Sequence, residues 1–215
     1  MRNKITFNEF ISQFKTSIII TTIDIKKVFP NLSPDSTHLW NKKKYLSRIG
    51  KGIYFNSYFF KEKINEQMSF LIANNAYSPS YVSLQSALNY YGLIPEAVKN
   101  ITSVTSRKTN TTEYNFGQFL YKSIKPSLMF DYELIQKDGF YYKIATPEKA
   151  FVDFLYLNPN LKTFDDFSEL RVNSEYFDEI INRKRLISLV EKIGSKSLKT
   201  RVLKLMKFID YDKST

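Results

Sequence analysis

The stretch that decides the fold of this chain is TTIDIKKVFPNLSPDSTHLWNKKKYLSRIGKGIYF, at residues 21–55. It begins with a short predicted helix, for which Thr21 or Thr22 is a favourable N-cap because its hydroxyl can accept from an amide of the first turn. Pro30 ends this helix, since proline has no amide hydrogen and its ring clashes with the preceding turn. The spacing of the apolar residues predicts an inward stripe formed by Ile23, Ile25 and Val28.

A second helix is predicted to follow after a short turn. Its start is marked by an N-cap, a proline at the first helical position and an acid in the first turn, which are Ser33, Pro34 and Asp35. We expect it to run to about Lys44, with Leu39 and Trp40 facing inwards. The residues expected to face outwards are polar or basic: Thr37, His38, Asn41 and Lys42.

A tight hairpin is predicted to close the stretch. Two short strands at residues 46–49 and 53–55 are joined through Gly50-Lys51-Gly52. Glycine on both sides of Lys51 permits the positive φ that such a turn needs. Helix, turn, helix and hairpin in this order are the pattern of a winged helix-turn-helix.

The polar face of the second helix favours DNA binding. Hydroxyl, amide, imidazole and amine groups match the donors and acceptors that base edges present in a major groove. Arg48 and Lys51 at the hairpin tip would then lie against a phosphate backbone. The alternative is a small structural subdomain whose basic face is merely solvated, because short helix pairs joined by a turn are common. Of the two, we favour DNA binding.

The composition excludes several classes of protein. Of the 215 residues, 43% are hydrophobic, which excludes global disorder and supplies a sizeable core. The chain has no cysteine, so disulfides and thiolate chemistry are excluded, which suits a reducing cytoplasm. Neither an N-terminal signal pattern nor an apolar run that could span a bilayer is present. We expect a soluble cytoplasmic protein.

The positive charge is concentrated at the N-terminal end. Of the net charge of +11, residues 1–57 contribute +7, since they hold ten Lys or Arg and three Asp or Glu. Residues 58–157 hold ten and nine and are close to neutral. A basic region that coincides with a helix-turn-helix pattern is the electrostatic footprint of nucleic-acid binding. A membrane surface would also attract it, but no segment there has the long apolar face of an interfacial helix.

The middle of the chain changes from helical to strand periodicity. Helices are predicted at residues 61–74 and 83–92. Lys137-Asp138-Gly139 is a strong hairpin-turn signal. Alternating and β-branched segments predict strands at residues 101–105, 113–116, 119–124, 130–136 and 140–144.

Helices are predicted again from about residue 146 to about residue 210. Thr146-Pro147-Glu148 forms the start signal of the first of them. The predicted fold class is therefore α+β. A winged helix-turn-helix domain at 1–57 precedes an α+β domain at 58–215, which has a mostly antiparallel sheet and a helical C-terminal tail.

Three segments resemble one protein family. They are RIGKGIY at 48–54, YVSLQSALNYYGLIPEAVKNITSVTSRKT at 81–109 and IATPEKAFVDFLYL at 144–157. Together they resemble the AbiE-type antitoxins of bacterial abortive-infection, type IV toxin–antitoxin systems. The second segment is the most specific, because it combines a helix, a Gly-Leu-Ile-Pro turn and a strand that ends in Arg-Lys-Thr. Lys44 stands where many members of that family have glycine.

The resemblance implies an autorepressor and antitoxin. Its winged helix would bind double-stranded DNA at the operon's own promoter, typically at inverted repeats. Its C-terminal domain would counteract a nucleotidyltransferase-like toxin encoded beside it. By position, the residues implied to contact DNA are Ser36, Thr37, His38, Asn41, Lys42, Lys43, Lys44, Arg48 and Lys51. Of these, the helix residues 37, 38, 41 and 42 would contact base edges. The cations at 43, 44, 48 and 51 would contact phosphates.

A protein-interaction module is the alternative from another functional class. Such a module would use the winged helix as a docking scaffold, without sequence-specific DNA binding. An apolar outward face on the second helix would favour it, whereas a polar and basic face favours DNA. In either case we expect a monomer or a weak dimer in solution and no membrane partner.

Enzymatic chemistry has little support in the sequence. His38 is the single histidine and cysteine is absent, so neither a zinc site nor a Ser-His-Asp triad can be built convincingly. Glu148, Lys149 and Asp153 share one helix face and could mimic an acid–base pair, but a solvated group near a helix start is the more common arrangement. We expect no catalytic residue, metal or cofactor.

Four further cations are candidate contacts for an anionic partner. Arg107 and Lys108 end a predicted strand, where a solvated terminus is equally expected. Lys196 and Lys199 belong to the segment 192–209, which is rich in lysine and contains no acid. A solvated face, a second DNA contact and a toxin-docking surface are all compatible with that segment, and a solvated face is the most common of the three.

Overall fold

The computed structural model describes residues 5–95 and 100–214. Residues 1–4, residue 215 and residues 96–99, which belong to the segment 81–109 quoted above, lie outside the described residues. The described chain confirms the α+β class. Its helices are α1 (Phe7–Gln13), α2 (Thr22–Val28), α3 (Pro34–Lys42), α4 (Ser57–Phe60), α5 (Glu66–Ala76), α6 (Leu84–Tyr90), α7 (Pro147–Leu157), α8 (Phe164–Ser168), α9 (Ser174–Ile180), α10 (Arg183–Ile193) and α11 (Lys196–Asp212). Its strands are β1 (Ile19–Thr21), β2 (Ser47–Gly50), β3 (Ile53–Phe55), β4 (Ser80–Val82), β5 (Ile101–Thr105), β6 (Asn110–Tyr114), β7 (Gly117–Ser123), β8 (Tyr132–Lys137) and β9 (Phe140–Ala145).

The N-terminal region packs α1, α2 and α3 around a small antiparallel sheet. The strands lie in the order β1-β3-β2, so that Tyr54 of β3 is the partner of both Ile20 and Arg48. The predicted hairpin is therefore present. The core of this region consists of Phe10, Ile11, Phe14, Ile20, Ile25, Trp40 and Leu46.

The predicted apolar stripe of α2 is wrong for two of its three residues. Thr21 caps the helix as expected. However, Ile23 is 67% exposed and Val28 is 44% exposed, and only Ile25 is buried. Successive helical residues are rotated by about 100°, so Ile23 lies about 200° from Ile25 around the helix and cannot face the core with it.

The second sheet has six strands in the described residues, in the order β6-β7-β5-β4-β9-β8. It is mixed rather than mostly antiparallel, because β5 pairs with β7 and β4 pairs with β9 in parallel. The short strand β4 was not among the predicted strands. It lies at the centre of the sheet with all three residues buried.

Several predicted boundaries shift because of caps and turns. Asn65 caps α5 by accepting from the Met68 amide at 2.8 Å, so that helix begins later than predicted. The turn between β6 and β7 occupies residues 115–116, which were predicted as strand. The C-terminal tail is interrupted where Gly194, with φ of +73°, ends α10. None of the helices in the described part of the chain combines the length and apolar character that crossing a bilayer requires.

The two regions are joined by buried contacts rather than by a solvated linker. Asn56 is fully buried, and its side-chain amide donates to the backbone carbonyls of Phe14 at 3.0 Å and Ser17 at 3.1 Å. The Tyr114 hydroxyl of β6 donates to the Ile49 carbonyl of β2 at 2.8 Å. The Tyr114 bond holds the back of the hairpin against the larger sheet. The bonds of Asn56 fix the end of the hairpin within the N-terminal region.

A buried ion pair connects α7 to the centre of the larger sheet. Lys149 and Asp153 are 0% and 2% exposed, and the ammonium donates directly to the carboxylate. Asp153 also accepts from the hydroxyls of Tyr81 and Ser83, both at 2.9 Å. Glu148 is buried as well. The predicted solvated group is therefore wrong, because β4 and the N-cap of α6 cover this face of the helix.

The pair Lys149–Asp153 is buried away from solvent and hydrogen-bonded on all sides. Burial raises the pKa of Asp153, and the ammonium of Lys149 and the hydroxyl donors of Ser83 and Tyr81 oppose that shift. The carboxylate of Asp153 has three hydrogen-bond donors, and one of them, the Lys149 ammonium, is also its counter-charge. Acid–base chemistry on an external molecule would need access that the burial of both charged groups denies.

Arg201 is another buried charge in a segment that was predicted to be solvated. It is 6% exposed, and its Nη1 donates to the carbonyls of Leu155, at the C-terminal end of α7, and of Asn158, which follows it. Helix C-termini leave such carbonyls without a partner and carry partial negative charge. Arg201 therefore caps α7 from α11, and burial lowers the pKa of its guanidinium.

The first prediction concerns the ion pair. Lys149→Met leaves the Asp153 carboxylate buried without its counter-charge, so we expect the free energy of unfolding to fall by about 3–5 kcal/mol. Lys199→Met is the matched control, because it breaks the exposed pair with Glu191 and costs at most about 1 kcal/mol. Urea unfolding followed by circular dichroism measures both. Equal losses in the two variants would contradict the buried pair.

Candidate nucleic-acid interface

Helix α3 is fixed in orientation by one aromatic side chain. Trp40 is 5% exposed, and its ring lies 4.4 Å from that of Phe10 and 5.5 Å from that of Phe7, measured between centroids. Ser33 caps the start of the helix through the Asp35 amide, as predicted. With the indole held in the core, the opposite face of α3 must point to solvent.

The outward face of α3 differs from the prediction at two positions. Leu39, predicted to face inwards, is 45% exposed, and Thr37, predicted to face outwards, is 8% exposed. The Thr37 hydroxyl donates to the Pro34 carbonyl at 2.8 Å and lies 3.4 Å from the Tyr54 hydroxyl. It therefore cannot reach a base edge from this position. The exposed residues of the face are Asp35, His38, Leu39, Lys42 and Lys43.

Asn41 and Ser36 are half-buried rather than fully outward. The Oδ1 atom of Asn41 accepts from the Arg48 amide at 2.8 Å, which ties the last turn of α3 to the first strand of the hairpin. Asn41 thus positions Arg48, and only its amide nitrogen is left to face a ligand. No local sequence signal indicates this role, because the partner is seven residues away and is reached only after the chain reverses.

Helix α3 ends two residues earlier than predicted, in a left-handed cap. The Lys44 amide donates to the Asn41 carbonyl at 3.0 Å, and the Tyr45 amide donates to the Trp40 carbonyl at 3.0 Å. This pair of bonds is a Schellman motif, whose left-handed position is usually glycine. Lys44 occupies that position with φ of +60°. The cap sends three consecutive lysines, at 42, 43 and 44, out to solvent.

The hairpin tip is tied to the start of α2. Gly52 has φ of +70°, and its carbonyl accepts from the Thr22 amide at 2.8 Å and from the Thr22 hydroxyl at 3.1 Å. Gly50 keeps an ordinary φ, so only Gly52 adopts the positive φ that glycine permits on either side of Lys51. The tip therefore has a fixed position, and Lys51 projects from it beside Arg48, whose Nε donates to the Gly50 carbonyl at 3.2 Å.

A groove of about 640 Å³ lies between α2, α3 and the hairpin. Lys26, His38, Arg48 and Lys51 line it, together with the Asp35 carboxylate. The cations of α3 and the hairpin form no ion pair with any acid in the part of the chain that the structure describes. Unpaired cations beside a groove attract anions, because no neighbouring carboxylate offsets their field.

Asp24, the acidic residue in the first turn of α2, accepts hydrogen bonds from its own helix start. The Thr21 hydroxyl donates to Asp24 at 2.6 Å and the Thr21 amide donates to it at 3.0 Å. These bonds, together with the charge of Lys27, lower the pKa of Asp24, and burial opposes the shift. Asp24 is therefore ionised at neutral pH, and its carboxylate accepts the hydrogen bonds of the capping box.

The four other predicted contact residues lie on different elements. The Arg107 guanidinium lies 4.2 Å from the ring centroid of Tyr77 and donates to the Ser78 carbonyl at 3.2 Å, so it is held at the end of β5. Lys108 is exposed beside it. On α11, Lys196 is exposed, whereas Lys199 pairs with Glu191 at 2.7 Å. Within the described ranges, none of these residues forms a hydrogen bond or an ion pair with α3.

No known family model matches this chain, and no curated protein matches it significantly.

The second prediction concerns the contact between α3 and the hairpin. Asn41→Ala removes the acceptor of the Arg48 amide, so we expect that amide to exchange its hydrogen faster and the free energy of unfolding to fall by about 0.5–1.5 kcal/mol. Asn41→Asp keeps the acceptor oxygen and is the control. Hydrogen exchange followed by NMR gives the readout. An unchanged exchange rate at Arg48 in Asn41→Ala would show that the bond does not hold the strand.

The third prediction concerns the hairpin tip. In Gly52→Ala the new Cβ lies 2.5 Å from the Thr22 hydroxyl oxygen and φ stays at +70°. Gly139→Ala is the control, because Gly139 has φ of +82° and nothing within 4 Å of the added carbon. The positive φ alone costs about 1–2 kcal/mol, and we expect Gly52→Ala to lose more than the control in urea unfolding. A smaller loss at Gly52 would mean that the tip is not tied to α2.

Proposed function

We propose that this chain binds double-stranded DNA through α3 and the β2–β3 hairpin and represses transcription from its own promoter. The observation that carries the proposal is the set of unpaired cations on α3 and the hairpin. Lys42, Lys43 and Lys44 at the end of α3 face solvent. Arg48 and Lys51 of the hairpin line the groove that α3 borders. A helix that presents polar groups to a major groove and is flanked by cations for the phosphates meets both requirements of sequence-specific binding.

The order of elements supports a winged helix as the binding unit. The chain runs through α1, β1, α2, α3, β2 and β3, and β1 pairs with the far strand of the hairpin. In this proposal α3 is the recognition helix, α2 crosses the backbone and the hairpin is the wing. Its two-residue tip, at Lys51 and Gly52, is too short to enter a minor groove deeply, so Lys51 contacts phosphate.

The antitoxin role is the second part of the proposal and rests on the resemblance of the three quoted segments. In this role the larger α+β domain counteracts a nucleotidyltransferase-like toxin encoded beside it. The promoter would contain inverted repeats, since two copies bound to one site place their recognition helices about one helical turn of DNA apart.

One observation favours the second candidate, a protein-interaction module. Ile23, Val28 and Leu39, which were predicted to face inwards, are exposed on α2 and α3. Exposed apolar side chains on one surface are typical of protein contacts when they form a contiguous patch. Here they are interspersed with Lys27, Lys42 and Lys43, so the charge of the surface still favours an anionic partner.

The fourth prediction tests DNA binding by its dependence on salt. Five exposed cations that each contact a phosphate give a slope of log affinity against log salt of about −4.5. Replacing Lys42 and Lys43 by Ala and Lys44 by Gly, which suits its φ of +60°, should make that slope shallower by about 2–3. Fluorescence anisotropy of the full-length protein with a labelled duplex from its own upstream region measures the slope.

The matched control removes three exposed lysines from the larger domain, at positions 122, 125 and 137, by substitution with Ala. The net charge changes equally, so an effect of overall charge would alter both slopes alike. A slope that moves only in the control would place the interface on the larger domain. Binding of wild type to scrambled DNA with the same affinity would favour the protein-interaction module instead.

A further inference from the structure

Leu39 is an exposed apolar side chain between charged residues on the outer face of α3. Successive helical residues are rotated by about 100°, so Trp40 and Thr37 on the inner face leave Asp35, His38, Leu39 and Lys42 outermost. Leu39 cannot turn into the core, because the Trp40 indole fills that position against two phenylalanine rings. It is 45% exposed.

The neighbours of Leu39 on the helix are charged. Asp35 lies one turn before it, and Lys42 and Lys43 lie one turn after it, all of them exposed. If α3 lies in a major groove, these lysines reach the phosphates at the groove edge, and the side chain between them and Asp35 faces the base edges. A leucine there has no donor or acceptor for a base. The apolar group that a major groove presents is the C5-methyl of thymine.

From this placement we propose that Leu39 recognises thymine by packing against its methyl group, and so determines part of the sequence specificity of α3. The inference rests on the proposed DNA-binding function and extends it to a specific base. Contact between the leucine and a methyl group removes apolar surface of both from water, which is favourable without any hydrogen bond. Other bases offer no such group, because cytosine, its pyrimidine alternative, carries hydrogen at that carbon.

The fifth prediction uses DNA that lacks only the methyl groups. The upstream duplex is synthesised once with thymine and once with uracil in its place, which leaves every base-pair hydrogen bond intact. We expect full-length wild type to bind the uracil duplex about fourfold more weakly for each methyl that Leu39 covers. In Leu39→Ala the ratio between the two duplexes should fall close to one, because the side chain that senses the methyl is gone.

Ile23→Ala is the control variant, since Ile23 is 67% exposed on α2 and lies off the outward face of α3. It should discriminate between the duplexes as wild type does, which separates the contact at Leu39 from any effect of uracil on DNA shape. Truncation of an exposed side chain leaves the core unchanged, and thermal melting checks that both variants fold.

The outcomes separate this inference from the function on which it rests. Wild type that binds the thymine duplex no tighter than scrambled DNA would overturn the DNA-binding proposal, and the inference with it. Specific binding that is equally strong with uracil would overturn the inference alone. Leu39→Ala that still discriminates like wild type would assign the methyl contact to another residue. Loss of self-association in sedimentation, without any change in discrimination, would assign Leu39 to a contact between copies of the chain.

Discussion

The packing of Trp40 is the constraint on which the N-terminal region depends. Its indole is buried against Phe7 and Phe10, so the rotation of α3 about its own axis is fixed. A rotation of one residue, about 100°, would move Thr37 out and Lys42 towards the core. An aromatic ring of this size has few alternative positions in a packed interior, since interiors are as dense as organic crystals. One buried side chain therefore selects every residue that α3 presents to solvent.

Polar contacts then fix the hairpin relative to that helix. Asn41 holds the Arg48 amide, and Thr22 holds the Gly52 carbonyl at the other end. Behind the hairpin, Tyr114 and Phe116 of the larger domain meet Ile49 and Phe55. The position of Arg48 and Lys51 at the hairpin tip therefore depends on residues from both halves of the sequence.

The sequence predicts the starts of α2, α3 and α7, the hairpins and the fold class, because caps, prolines and turn residues act locally. Thr21, Ser33 and Thr146 are the N-caps that were expected. Orientation is less predictable, since Leu39 and Trp40 are equally apolar and only the space behind α3 decides between them. The burial of Lys149 and Asp153, the central strand β4 and the parallel pairings depend on residues distant in sequence, which periodicity does not contain.

The left-handed backbone at Lys44 lowers the stability of the fold but keeps a positive charge on the surface proposed for DNA. A non-glycine residue with φ of +60° carries a conformational penalty of about 1 kcal/mol or more, and glycine would remove it. Glycine would also remove one positive charge from the surface proposed for DNA. Selection for a more stable fold and selection for tighter binding to phosphate thus act in opposite directions at one residue. A chain that keeps lysine there retains charge at the expense of backbone strain, a compromise of the kind that functional sites make elsewhere.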